Sequence, residues 1–293
     1  MDQLYAPSTI RQIREKYGFK LSKSLGQNFL ADKNIIDKII DGSLIGDEDL
    51  VIEIGPGIGV LTKAAALKAK KVIAIEIDRH LIPILSETLA DHENIELINE
   101  DILKMDLNVL IGNNPGYQAI RIIGNLPYYI TTPIIMKVLE EHVAADSMTI
   151  MLQKEVADRI KAKPGTKDYG AITVVIQYYC TVDTIAAVPR EVFIPRPNVD
   201  STVIRLSINK EKPVSIESET LFFQTIKSGF GQRRKTLLNS LTGLQGLGKG
   251  EVGLVLSSAG IDPVRRAETL SIQEFAYLSN AFSKQLQGRP SSS

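Results

Sequence analysis

Between residues 50 and 153, short apolar runs alternate with amphipathic helical patterns. This alternation leaves few folds open. Strands separated by helices imply a mostly parallel sheet with helices on both faces. The runs 50–54, 71–76, 95–99, 119–124 and 147–153 read as strands, and 59–69, 79–90, 132–143 and 154–162 as helices. A further helix is expected at 33–41. Thr173–Tyr179, Thr181–Val188 and Thr202–Asn209 are rich in β-formers, so the sheet is expected to end in antiparallel strands. Asn209-Lys210-Glu211-Lys212-Pro213 is polar and proline-punctuated, as a linker would be. Helical patterns follow at 217–230, 233–242, 250–259 and 271–285, interrupted by Gly243, Gly246, Gly248 and Gly250. The expected organisation is an α/β domain over 1–209 and a small all-helical domain over 210–293. The tail 288–293 is expected to be disordered.

Composition removes several function classes. No apolar run reaches the roughly 18 residues needed to cross a bilayer. Arg11, Arg14, Glu15 and Lys16 occupy the place where a secretory leader needs an apolar stretch. Cys180 is the only cysteine, so no internal disulfide can form, and a reducing cytoplasm is expected. His80, His92 and His142 are scattered without metal-ligand spacing, so no metal is expected. Net charge is zero but unevenly spread. Residues 1–30 hold five Lys or Arg against two Asp or Glu, residues 210–293 hold 11 against 7, and residues 31–209 hold 18 against 25. Basic ends suit phosphates, and an acidic centre suits a small cationic cofactor. Ordinary solvated surfaces would give the same counts.

Glu53-Ile54-Gly55-Pro56-Gly57-Ile58-Gly59 lies between the first strand and its helix, at the sheet edge where open α/β folds bind ligands. Val60 stands where a dinucleotide fingerprint wants its third glycine, which argues against an NAD-dependent oxidoreductase. Glu76 ends the second strand, where a carboxylate can accept from both ribose hydroxyls of an adenosine. Asp101 follows the third strand, where it can accept from an adenine amine. Each acid alone reads equally as a solvated strand end; together, behind a glycine loop, they point to an adenosyl cofactor.

After the fourth strand stands Asn125-Leu126-Pro127-Tyr128. Asn125 offers an acceptor oxygen, Pro127 withholds a competing N–H and turns the chain, and Tyr128 offers a face for stacking. Such a set can hold a flat exocyclic amine. In the alternative reading, Tyr128 caps the core and Phe193 is an ordinary buried aromatic.

These motifs resemble those of S-adenosylmethionine-dependent methyltransferases acting on an adenine amino nitrogen. Lys23-Ser24-Leu25-Gly26-Gln27-Asn28-Phe29-Leu30 resembles the N-terminal motif of the ribosomal RNA adenine dimethylases. The resemblance continues through Thr131-Thr132-Pro133, Gln153–Ala157, Val192–Ser201 and Gln232–Leu237, covering about residues 10 to 285. Asn-Leu-Pro-Tyr followed by Thr-Pro looks like the small-subunit branch rather than the macrolide-resistance branch, which modifies large-subunit rRNA.

The resemblance implies a Rossmann-like methyltransferase sheet, S-adenosylmethionine as cofactor, and dimethylation of two adjacent adenosines in a hairpin near the 3′ end of small-subunit rRNA. It implies that Gln27, Asn28 and the backbone of Leu30, Gly55 and Gly57 meet the methionine part of the cofactor. Glu76 would hold its ribose, and Asp101 with backbone near Ile102 its adenine. Asn125, which also borders the cofactor, and the Leu126 carbonyl would accept from the target amine between Tyr128 and Phe193. In the helical tail, Lys227, Arg233, Arg234 and Lys235, with Arg265 and Arg266, form the clearest basic set and would line a face meeting rRNA phosphates; an ordinary solvated helix face is the alternative reading. A monomer acting on the immature small subunit is expected. The competing class is a non-enzymatic assembly factor that binds the subunit without turnover.

Overall fold

The computed structural model describes residues 3–18, 27–232 and 234–288. Lys23–Gly26 of the N-terminal motif, Arg233, and the tail from residue 289 lie outside the described residues. The elements run α1 (Pro7–Tyr17), β1 (Phe29–Leu30), α2 (Lys33–Gly42), β2 (Leu50–Ile54), α3 (Val60–Ala66), β3 (Lys71–Glu76), α4 (Ile82–Thr88), β4 (Ile95–Asn99), α5 (Leu107–Gly112), β5 (Ile120–Gly124) and α6 (Tyr128–Glu140). They continue through β6 (Ser147–Gln153), α7 (Lys154–Ile160), α8 (Ala171–Tyr179), β7 (Cys180–Val188), β8 (Phe193–Ile194), β9 (Ser201–Ile208), α9 (Glu219–Phe230), α10 (Leu237–Leu241), α11 (Lys249–Ser258) and α12 (Ile272–Gln287).

Seven strands form one sheet in the order β4-β3-β2-β5-β6-β9-β7. The five strands expected from the apolar runs are parallel neighbours, and β9 joins antiparallel to β6 over seven residue pairs from Ser147–Ser207 to Gln153–Ser201. Every residue of β2 is buried, as in a strand covered by helices on both faces. The order reverses around β2 and β5, so the crevice at their carboxyl ends is the topological switch point. A separate pair, β1 with β8, sets Leu30 opposite Phe193 and Phe29 opposite Ile194.

The chain divides into two compact units: residues up to Ala157 with Thr181–Ile208, and Asp158–Cys180 with Asn209 onward. This differs from a division at residue 209 by assigning 158–180 to the second unit. There α8 packs against α9 and α12, and Tyr178 and Tyr179 meet Phe222 and Phe223 at ring distances of 5.1–5.6 Å. The β-rich reading of Thr173–Tyr179 is therefore corrected: the segment is helical. β-branched propensity loses to burial of Val174, Ile176, Tyr178 and Tyr179, as happens with short apolar runs. In the second unit α12 begins with a reciprocal cap between Ser271 and Glu274.

Helix α6 begins at Tyr128, ahead of the expected 132, and carries Pro133 inside it. Proline at that position withholds the N–H that would bond the Tyr129 carbonyl. The Thr131 hydroxyl donates to the Pro127 carbonyl at 2.9 Å and steadies the first turn. Helices α1 and α5 have no counterpart among the expected elements.

Candidate active site

A cleft at the carboxyl ends of β2, β3, β4 and β5 encloses about 1120 Å³, part of it open to solvent. Each residue expected at the cofactor or the target base lines it: Gln27, Asn28, Leu30, Gly55, Gly57, Glu76, Asp101, Ile102, Asn125, Leu126, Tyr128 and Phe193.

The floor is the glycine turn. Gly55 and Gly57 adopt φ of 68° and 62°, conformations that side chains resist. A Cβ on Gly57 would also lie 3.1 Å from the Phe29 ring, so only glycine lets β1 and the turn approach this closely.

Glu76 is 5% exposed and accepts from the Asp78 N–H at 2.8 Å. Burial, opposed by backbone N–H groups of Asp78 and Gly57, pushes its carboxyl up to about 7. Asp101 accepts from the Leu103 N–H at 3.0 Å, which closes the turn after β4 and presents its carboxylate at the rim. Ile102 is buried beside it, and Ile77, 51% exposed, gives the cleft a further apolar surface. Ile77 escaped the sequence reading because an isoleucine after a strand carries no signal of its own.

Glu53 also lines the cleft. It is 1% exposed, and among the described residues its Oε2 lacks a hydrogen-bond partner. Burial pushes its carboxyl up to about 8; Glu76 adds to the rise and Thr62 opposes it.

The Asn125 amide donates from Nδ2 to the Asn28 carbonyl at 3.0 Å. That bond fixes the amide's orientation and turns Oδ1, its acceptor, away from the donor side. Gln27 donates to Asp78 Oδ2 at 3.0 Å. Burial raises the Asp78 carboxyl, but His80, through its N–H and ring, and Gln27 outweigh it and hold the group below the usual range. The two motif residues thus tie the N-terminal segment to the ends of β3 and β5.

Tyr128 starts α6, and its hydroxyl lies 2.8 Å from Ser201 Oγ at the start of β9. Phe193 is 4% exposed, packs with Leu30 and Val188, and still borders the cleft. Its two readings, core aromatic and base platform, share one location. The Ile194–Pro195 peptide that follows is cis.

Of the basic set, Lys227, Arg234 and Lys235 are exposed, while Arg233 lies outside the described residues. Arg265 is different: its guanidinium bonds Glu274 and the Thr269 carbonyl, so it braces the start of α12 instead of facing solvent freely. Among the described residues no cluster of three or more His, Cys, Asp or Glu could hold a metal ion. No described helix is long and apolar enough to cross a membrane.

The family model "Ribosomal RNA adenine dimethylase" matches residues 18–284. The chain is 52% identical over 289 residues to a protein of Clostridioides difficile (strain 630) named Ribosomal RNA small subunit methyltransferase A, spanning 99% of this chain and 100% of that one. A protein of the same name from Alkaliphilus metalliredigens (strain QYMF) is 54% identical over 279 residues, 95% of this chain and 97% of its own. Among solved structures, a dimethyladenosine transferase from Plasmodium falciparum superposes with a TM-score of 0.75 at 26% identity, covering 88% of this chain and 98% of that one. The 23S rRNA methyltransferase ErmE gives 0.66 at 27%, covering 87% and 99%. This chain belongs to the ribosomal RNA adenine dimethylase family.

Proposed function

We propose that this chain dimethylates, at the exocyclic nitrogen, two adjacent adenosines of small-subunit rRNA during ribosome biogenesis, using S-adenosylmethionine. The observation that carries the reading is a single cleft lined both by the acids Glu76 and Asp101 and by Asn125-Leu126-Pro127-Tyr128. Identities of 52% and 54% to small-subunit methyltransferases, against 27% to ErmE, favour the small subunit over the large.

The residues present fit an adenosyl cofactor. Glu76 is a buried carboxyl that a ribose diol would satisfy, and Ile77 and Ile102 offer apolar surface for a flat base. The glycine turn lets a ligand approach the backbone. When bound, S-adenosylmethionine supplies an electrophilic methyl carbon.

The protein's own work is positioning and charge stabilisation. The target adenosine must leave its stack to enter the cleft. Its amine is a weak nucleophile because the lone pair is delocalised into the ring. Asn125 Oδ1 and the Leu126 carbonyl accept its two hydrogens and favour a pyramidal nitrogen. Positive charge grows on that nitrogen during transfer, and carbonyl dipoles already aimed there stabilise it. Tyr128 and Phe193 hold the base, a stack worth roughly 1–3 kcal/mol. No general base is required, since the nitrogen proton becomes acidic once the methyl is on. Lys227, Arg234 and Lys235 neutralise rRNA phosphates, which position the enzyme rather than select the sequence. The enzyme works as a monomer on the immature subunit, in the cytoplasm.

The test is transfer of labelled methyl from S-adenosylmethionine to purified subunits lacking adenine dimethylation, followed by nucleoside digestion. Dimethyladenosine from small subunits alone supports the reading. Label in large-subunit RNA would move the chain to the other branch, and binding without label would leave a non-enzymatic assembly factor.

A further inference from the structure

Tyr129 is 61% exposed and lines the same cleft as Asn125 and Tyr128. Among the described residues its hydroxyl has no hydrogen-bond partner and its ring no aromatic neighbour. Lone exposed apolar side chains are ordinary; a lone aromatic at the mouth of a base-binding cleft, next in sequence to the ring assigned to the target, is not so easily dismissed.

Tyr128 and Tyr129 are the first two residues of α6. Successive helical residues project about 100° apart, so the two rings cannot flank one base from opposite sides. Tyr128 is fixed, its hydroxyl held by Ser201 at 2.8 Å. Tyr129 has no such tie and stands further out. The substrate supplies a matching pair: when one adenosine is turned into the cleft, its neighbour follows within one phosphodiester and has lost a stacking partner. Aromatic side chains replace such lost stacking in single-stranded nucleic acid, base by base.

We propose that Tyr129 is the platform on which the adenosine adjacent to the target stacks, so that paired rings on α6 read paired adenines. The proposal rests on the function assigned above. Its consequence is specificity: the enzyme senses the base beside the one it methylates.

The experiment is a two-by-two comparison of methyl transfer at subsaturating substrate. Wild-type and Tyr129→Ala are each given small subunits carrying either the natural adenosine pair or a pair with one member replaced by an abasic nucleotide. Tyr129→Phe and retained S-adenosylmethionine affinity serve as controls for the ring and the fold. The abasic replacement should slow wild-type transfer to the remaining adenosine at least about five-fold, the lower end for one stacked base. Tyr129→Ala should slow the natural substrate by a similar factor and be nearly indifferent to the abasic change, while Tyr129→Phe stays near wild-type. Tyr129→Ala matching wild-type on the natural pair, or losses that multiply when both changes are combined, would overturn the proposal. Absence of any transfer by wild-type to the natural pair would instead overturn the functional reading beneath it, and the proposal with it.

Discussion

The side-chain amide of Asn125 and the backbone carbonyl of Asn28, 97 positions apart in sequence, are joined by a 3.0 Å hydrogen bond. It makes an N-terminal segment part of the apparatus that aims a strand-end amide. With Nδ2 committed, Oδ1 is the atom left to accept from a ligand.

Asn125→Ala should therefore fold and bind S-adenosylmethionine, yet lose at least about 100-fold in kcat, the scale of one missing transition-state dipole. Cofactor titration beside single-turnover methylation separates the two effects. Near-full activity in the variant would sink the role given to Asn125.

Tyr128→Phe keeps the ring and strips the hydroxyl, leaving Ser201, 1% exposed, without its partner. Stability should fall by about 1–3 kcal/mol, the range for an orphaned buried group. Ser201→Ala removes the other end of the same pair and frees the Tyr128 ring to move, so KM for the subunit should rise while cofactor affinity holds. Thermal denaturation and steady-state kinetics on the same preparations check both.

Glu53 ties stability to pH. Its folded carboxyl is pushed up to about 8, against 4.5 for an ordinary glutamate. The folded state thus binds more protons than the unfolded chain between those values, and stability declines as pH rises through that window. Glu53→Gln should raise the melting midpoint at pH 9 by roughly 3 °C or more and flatten its decline from pH 5 to 9. Parallel melting curves for the two proteins would show that Glu53 is not the group responsible.

At Glu76 the same physics acts on ligand binding. The free carboxyl is pushed up to about 7, and the ionised form is the better acceptor for ribose hydroxyls. Affinity for S-adenosylmethionine should rise with pH through about 7 and level off above it. Calorimetric titration from pH 6 to 8.5 would reveal this, and Glu76→Gln should bind weakly with little pH dependence.

Replacing Arg234 and Lys235 together by Glu should weaken subunit binding and flatten its dependence on salt, because fewer phosphate counterions are released. Binding measured at 50 and 200 mM salt gives the slope. Arg265→Glu should act differently, lowering stability through the lost Glu274 contact.

Much of the architecture was legible because its signals are local. The five parallel strands fall where short apolar-rich runs lie, and the glycine turn is marked by residues that tolerate positive φ. The acids Glu76 and Asp101 and the Asn125–Tyr128 motif could be read as a site because the carboxyl ends of parallel strands converge. Thr173–Tyr179 misled for a physical reason. A short stretch of β-branched and aromatic residues, broken only by Gln177, fits a strand or a buried helix equally, and contacts with Phe222 and Phe223 decide between them.

The sequence by itself determined the parallel core, the turn at Gly55–Gly59 and the kinds of group at the site, since period, propensity and chemistry reside in neighbouring residues. Only the tertiary structure decided which residues touch: Asn28 with Asn125, Gln27 with Asp78, Leu30 opposite Phe193, and Tyr128 on Ser201. It also decided that Glu53 is a buried acid and that Tyr129 faces the cleft mouth. Hydrogen-bond partners and desolvation depend on groups brought together across many residues, and no local pattern encodes them.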